Sequence, residues 1–195
     1  MFKVARSRLK RGGLTAEAED YAFRCAVERI GGAPLDEGHE TWQMRRGIEL
    51  EPEARAAHQE HAGVIVEPAH FVTTDDGRFG ATPDGLIGRD GGAEYKCLIG
   101  AESLRKALSD ANVGAYMDQV QGGMWITGRR WWDLCIYCPA LAPIGLDLVR
   151  YRIDRDPEYI AALVADLREF DQHVTRHEQQ LRRLADPDEA RSPVL

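Results

Sequence analysis

The stretch Gly80-Ala81-Thr82-Pro83-Asp84-Gly85-Leu86-Ile87-Gly88-Arg89-Asp90-Gly91-Gly92-Ala93-Glu94-Tyr95-Lys96-Cys97-Leu98 decides how this chain is read. It has the form of two short strands, Gly80 to Ile87 and Ala93 to Leu98. Asp90-Gly91-Gly92 between them supplies residues that accept the positive φ of a tight turn. Side chains alternate along a strand, so Glu94 and Lys96 share one face and Tyr95 takes the other. If the strands pair as a hairpin, Asp84 reaches the face of Glu94 and Lys96. Two carboxylates and an ammonium then converge at the edge of a sheet.

Paired carboxylates suit a hard divalent cation, because Mg²⁺ and Mn²⁺ prefer oxygen ligands. A lysine beside them can orient or deprotonate an attacking water, and the cation offsets charge that builds up on a phosphate. The chemistry expected is metal-assisted phosphodiester hydrolysis. An isolated D…E-x-K is more often a surface ion pair beside a turn. The neighbouring segments therefore decide.

Pro83-Asp84, followed ten residues on by Glu94-Tyr95-Lys96, resembles the PD-(D/E)XK nuclease superfamily. A second segment, Tyr116-Met117-Asp118-Gln119-Val120-Gln121-Gly122-Gly123-Met124-Trp125-Ile126-Thr127-Gly128, is similar to the Q-V-Q-x-x-M-W-x-T helix of the phage lambda exonuclease and YqaJ-like viral recombinase family. A third, Gly47-Ile48-Glu49-Leu50-Glu51-Pro52-Glu53-Ala54-Arg55, is similar to that family's G-x-x-x-E-x-x-A-R helix. Three motifs in order, spanning Gly47 to Thr127, make a specific signal.

The resemblance implies an α/β fold with a restriction-endonuclease-like core, a central mixed β-sheet flanked by helices. It implies Mg²⁺ or Mn²⁺ held by Asp84 and Glu94 with Glu51 sharing, Lys96 acting on the water, and Gln119 supporting it. Glu49 and Glu53 compete with Glu51 for its role. The activity implied is a 5′-to-3′ exonuclease on the ends of linear double-stranded DNA, leaving single strands for recombination. A structure-specific endonuclease on the same core and a non-catalytic DNA-binding module are the alternatives. A ring-shaped homotrimer and a single-strand annealing partner also follow from the resemblance; the residues themselves do not show them. The family's N-terminal R-x-G-x-[IT]-T-A-S pattern, tied to a terminal 5′-phosphate, is met here by Lys10-Arg11-Gly12-Gly13-Leu14-Thr15-Ala16-Glu17. A lysine stands for the arginine and an acid for the serine, and an acid repels phosphate. Arg8, Lys10, Arg11 and Arg46 are the cations that could substitute.

The 195 residues suit a single nuclease domain with a basic segment over 1–13 and a tail over 186–195. No apolar run approaches the ~20 residues of a membrane helix. The basic N-terminus lacks the apolar stretch of a secretory signal, so the expected location is cytoplasmic. The net charge of −7 runs against the basic footprint of a nucleic-acid binder. Basic clusters do occur locally, at Arg6 to Arg11, Arg45-Arg46, Arg105-Lys106 and Arg129-Arg130. Cys135-x-x-Cys138 lies in an apolar strand without a second pair, so it reads as buried thiols, not a zinc site. His58 with His61, and His173 with His177, are helical pairs lacking a third ligand and read as packing or surface residues.

Along the chain, Thr15 caps a first helix that Gly31-Gly32 ends. A second runs from Glu40 to about His61, bent or divided near Gly47 and Pro52. Val64 to Val66 and Ala69 to Thr74 read as strands, giving a three-stranded meander that ends in Glu94 to Lys96. A short helix near Glu102 to Ser109, a helix from Ala115 to Thr127, strands Trp131 to Pro139 and Leu146 to Ile153, and a long helix from Pro157 to Ala185 complete the order.

Overall fold

A computed structural model describes residues 2–35, 41–98 and 100–185. The chain forms two compact units, Met1–Gly38 with Ala161–Leu195, and His39–Ile160. The predicted helix start at Glu40 and the predicted 186–195 tail lie outside the described residues.

The first unit is helical. Helices α1 (Phe2–Ala5) and α2 (Ala16–Gly31) are followed, from the far end of the chain, by most of α6 (Pro157–Leu184). Thr15 caps α2 by accepting from Ala18 N–H, and Gly32 ends it at φ +70°. Ala18, Ala22 and Ala26 bury its inner stripe, and Leu163, Leu167, Phe170 and Val174 bury that of α6. Tyr21 stacks on Phe170 at 5.3 Å, and Glu19 reaches both His173 and His177. The two histidines are thus engaged in packing α2 against α6.

The second unit holds the sheet. Helix α3 (Trp42–Ala62) precedes a hairpin of β1 (Val72–Thr73) and β2 (Gly80–Ala81). Strands β3 (Gly85–Ile87), β4 (Gly91–Cys97), β5 (Trp131–Tyr137) and β6 (Leu148–Asp154) form a four-stranded sheet in that order. Only the β4–β5 pair is parallel, so the sheet is mixed. Between those two strands run α4 (Ala101–Leu108) and α5 (Met117–Thr127), the crossover that a parallel pair requires. One face of the sheet packs Ala93, Tyr95, Cys135 and Tyr137 against Leu50 and Ala54 of α3. The other packs Trp132, Leu134 and Ile136 against Val120 and Met124 of α5. This is the expected α/β architecture, a mixed sheet with helices on both faces.

Four local expectations are corrected. The hairpin turn is Gly88 to Asp90, and Gly91 and Gly92 belong to β4. The glycines are needed for close approach, not for a turn: a β-carbon on Gly91 would stand 2.1 Å from the Trp131 ring, and one on Gly92 2.4 Å from that of Trp132. Gly80 to Ile87 is two short strands in different sheets, interrupted at Thr82 to Asp84, because Pro83 has no N–H to donate to a ladder. Consequently the meander is a separate two-stranded ribbon beside the main sheet, and Val64 to Val66 is irregular, with only Glu67 bridging to Leu86. Finally, α3 runs unbroken through Gly47 and Pro52. Cys135 and Cys138 are buried free thiols, as expected.

Candidate active site

The interruption at Pro83 creates the site. In an unbroken ladder the Tyr95 N–H would meet a backbone carbonyl of the partner strand. Here the Asp84 carboxylate takes that N–H, at 2.7 Å. Asp84 is thereby fixed beside the middle of β4. The pleat sends Glu94 and Lys96 toward α5, as the alternation predicted. Lys96 Nζ donates to Glu94 Oε1 at 2.6 Å and to Gln119 Oε1 at 2.9 Å. Gln119 Nε2 donates to the same Glu94 oxygen at 2.6 Å. The Tyr116 ring covers the ammonium at 5.5 Å.

Glu94 is only 3 % exposed. Burial pushes its carboxyl up to about 8; the charge of Lys96 opposes this, and the Asp84 carboxylate, through its charge and a hydrogen bond, adds to it. Glu51, on α3, is also raised, first by desolvation and then by the nearby charge of Asp84. Lys96 and Arg55 pull it the other way. Glu94 and Glu51 are thus held up chiefly by burial, with the Asp84 carboxylate adding to the effect and the nearby cations opposing it.

Asp84, Glu94, Lys96, Gln119 and Glu51 are thus brought together from β4, α3, α5 and the segment before β3. Glu53, one competitor for the Glu51 role, faces the Tyr137 hydroxyl at 3.4 Å. Glu49, the other, pairs with Arg46 at 3.0 Å on an exposed part of α3. In the first unit, Arg8 is committed to the carbonyls of Ala5, Ser7 and Asp166 and to Glu169, while Lys10 and Arg11 are exposed.

Two features were given no role in the sequence reading, although Arg55 closes its G-x-x-x-E-x-x-A-R segment. Arg55 Nη2 donates to Glu51 Oε1 at 2.6 Å and to the Asp84 carbonyl at 2.8 Å, tying two acid-bearing segments together. Its spacing four residues after Glu51 on one helix was the available signal. The second is a buried relay behind β4. His58 lies 3.0 Å from the Tyr95 hydroxyl through Nδ1 and 3.1 Å from Asp133 through Nε2. Asp133 also accepts from Arg152 at 2.6 Å and from Arg150 at 3.3 Å. His58 is a packing histidine, as read, but it also holds Tyr95, which stands between the candidate residues Glu94 and Lys96 on β4.

The oxygen-only donor set fits a hard divalent cation. Among the described residues no three His, Cys, Asp or Glu side chains stand ready-clustered around an ion position. The Lys96 ammonium is the cation that meets Glu94 here. The fit rests on donor chemistry: a buried carboxyl raised to about 8 beside a second acid gains from a cation placed between them.

This arrangement, an acid and a lysine on a central strand of a mixed sheet between helices, with further acids from the segment before β3 and from α3, defines a restriction-endonuclease-like core. The chain belongs to the YqaJ-like viral recombinase family, whose model matches residues 15–130. Its structure is similar to that of an alkaline exonuclease, LHK-Exo, from Laribacter hongkongensis, at 30% identity and TM-score 0.80 over 94% of this chain and 91% of that one. The same similarity holds to LHK-Exo in complex with dAMP. A phage related exonuclease from Haemophilus somnus 129PT shares the fold at 17% identity and TM-score 0.70, covering 95% and 94% of the two chains. No curated protein sequence matches the chain.

Proposed function

We propose that the chain is a divalent-metal-dependent exodeoxyribonuclease of the PD-(D/E)XK type. It degrades linear double-stranded DNA from an end, in the 5′-to-3′ direction, and leaves single strands for recombination in a bacterial or phage-infected cytoplasm. The observation that carries this reading is the position of Lys96, whose Nζ is held by Glu94 and Gln119 on the strand that Asp84 grips. The kinship with an alkaline exonuclease, and that protein's complex with dAMP, a mononucleotide of the sort an exonuclease releases, support it.

Mg²⁺ or Mn²⁺ supplies Lewis-acid stabilisation of the charge on the scissile phosphate. Asp84, Glu94 and Glu51 would hold it. Lys96 orients the attacking water and takes part in moving its proton, with Gln119 fixing the amine. Arg55 keeps Glu51 and the Asp84 backbone in register. Arg46, Lys10 and Arg11 are the cations offered to DNA phosphates. Arg8 is the weaker candidate, because its guanidinium is engaged by three carbonyls and Glu169, whereas Arg46 sits in an exposed pair with Glu49. A homotrimer enclosing DNA would make digestion processive, and solution mass tests it.

The deciding experiment digests linear duplex labelled at either end, with and without 5′-phosphate, in Mg²⁺, Mn²⁺ or EDTA. A covalently closed circle is included. Mononucleotides should appear from the 5′ end of the linear DNA only with metal, and the circle should survive. Cutting of the circle would make the enzyme an endonuclease; no metal-dependent cutting at all would remove the catalytic reading.

A further inference from the structure

The β1–β2 hairpin leads straight into Asp84, and nothing in the chemistry above uses it. Its tip is held stiff. Thr74 N–H donates to the Phe79 carbonyl and Gly77 N–H to the Thr74 carbonyl, each at 2.8 Å. Asp76 accepts from the Thr74 hydroxyl at 2.6 Å and from Arg78 N–H at 3.1 Å. The ribbon packs on α5, where Phe79 meets Trp125 at 5.5 Å between ring centres. That helix also carries Gln119. Hairpin and site are therefore mounted on the same element.

Phe79 has a partner, whereas Phe71 is 67 % exposed. The outer edge of the Phe71 ring lies over Gly80: a β-carbon there would stand 2.2 Å from Cζ and 2.6 Å from Cε2. The glycine lets the ring lie against the ribbon instead of swinging free. An aromatic ring so placed, rigidly supported and open to solvent, is a flat platform. Gly80 is four residues before Asp84, a reach of at most about 14 Å. That is about four stacked nucleotides at roughly 3.4 Å each. The nearby tip carries Asp75 and Asp76, which repel phosphate. A strand passing there would turn its bases, not its backbone, toward the hairpin.

We propose that Phe71 is a stacking platform for the base of an unpaired nucleotide within about four positions of the scissile phosphodiester. The inference rests on the reading of the site as a DNA hydrolase and adds a nucleobase subsite to it. Stacking of this kind is sequence-tolerant, because every base offers a π-face.

Binding and cleavage test it separately. In EDTA, duplexes with a four-nucleotide unpaired end carry 2-aminopurine at each unpaired position in turn. Wild type should quench one position, Phe71→Ala should not, and Phe71→Trp should restore the quench; Phe71→Leu, apolar but without a ring face, should not. In Mg²⁺, Phe71→Ala should lower kcat/KM by about 5- to 100-fold, mainly through KM. An abasic residue at the quenched position should cost wild type a similar factor and cost Phe71→Ala nothing more. The thermal midpoint should stay unchanged, since the ring is exposed. Equal quenching in wild type and Phe71→Ala, or an equal abasic penalty in both, overturns the platform while leaving the nuclease standing. Ring-dependent quenching without any hydrolysis keeps the platform and removes the nuclease reading.

Discussion

At the scale of single residues, the site turns on how a buried acid is compensated. Glu94 accepts hydrogen bonds from Lys96 and Gln119. Replacing Lys96 by Ala removes the cation, yet the protein should stay folded, because a carboxyl already raised to about 8 takes up a proton instead of remaining an unpaired charge. Hydrolysis should fall by about 10²- to 10⁴-fold while the thermal midpoint moves little; near-normal turnover would end the role given to Lys96. Glu51→Gln should lose activity of the same order, and Glu49→Gln and Glu53→Gln should lose little, as single-turnover rates in Mg²⁺ will show. Arg55→Lys keeps the charge but moves the donor off the Nη2 position from which both Glu51 and the Asp84 carbonyl are reached, so kcat should drop about tenfold with KM held. Glu94 and Lys96 were legible as a pair because their spacing along one strand is local, and Asp84 lies only a short hairpin away from them. Arg55 was not, because the second half of its bond pattern ends on a segment 29 residues away.

At the scale of elements, the most informative error concerned Gly91-Gly92. Read locally, the pair signals a turn. In the fold it lies in β4 so that Trp131 and Trp132 of the adjacent strand can lie across it. Trp132 has no room to retreat, since a β-carbon on Gly123 of α5 would stand 3.2 Å from its other side. Gly92→Ala should therefore destabilise the protein by about 1–3 kcal/mol, measured by urea denaturation. Combining it with Trp132→Leu should give less than the sum of the two single effects. A demand for empty space set by a ring some forty residues along the chain leaves no local signature. The helices were easier, since Thr15, Gly32 and the apolar stripe of α6 act within a few turns of themselves.

At the scale of the larger unit, one carboxylate ties four elements. Asp133 is fully buried and joins β5 to His58 of α3 and to Arg150 and Arg152 of β6; through His58 it reaches Tyr95 of β4. Burial alone would raise it, but the bonds from His58 and Arg152 and the two guanidinium charges hold it at about 2, below the usual 3.8. A lowered acid stabilises the fold above its unfolded pKa, and that contribution fades as pH falls from about 4 through 2. The difference amounts to about 2 kcal/mol. Wild type should accordingly lose its advantage over Asp133→Asn across that window in denaturation at graded pH. A constant gap from pH 5 to 2 would show that the carboxylate is not held down. Neither Asp133 nor His58 could be matched as partners from the sequence, because they stand 75 residues apart and meet only across the sheet.

The parallel pairing of β4 with β5 has a kinetic side. Glu94 stands opposite Leu134, so pairing the two strands closes the whole intervening segment, which includes the helix that delivers Gln119. Loops of that length close late, and long-range parallel pairing is slow compared with helix formation. When the denatured chain is diluted from urea, far-ultraviolet ellipticity should recover first and DNA hydrolysis should trail it by a resolvable lag. Chemistry would then be the last property the polypeptide acquires on its way to the native state.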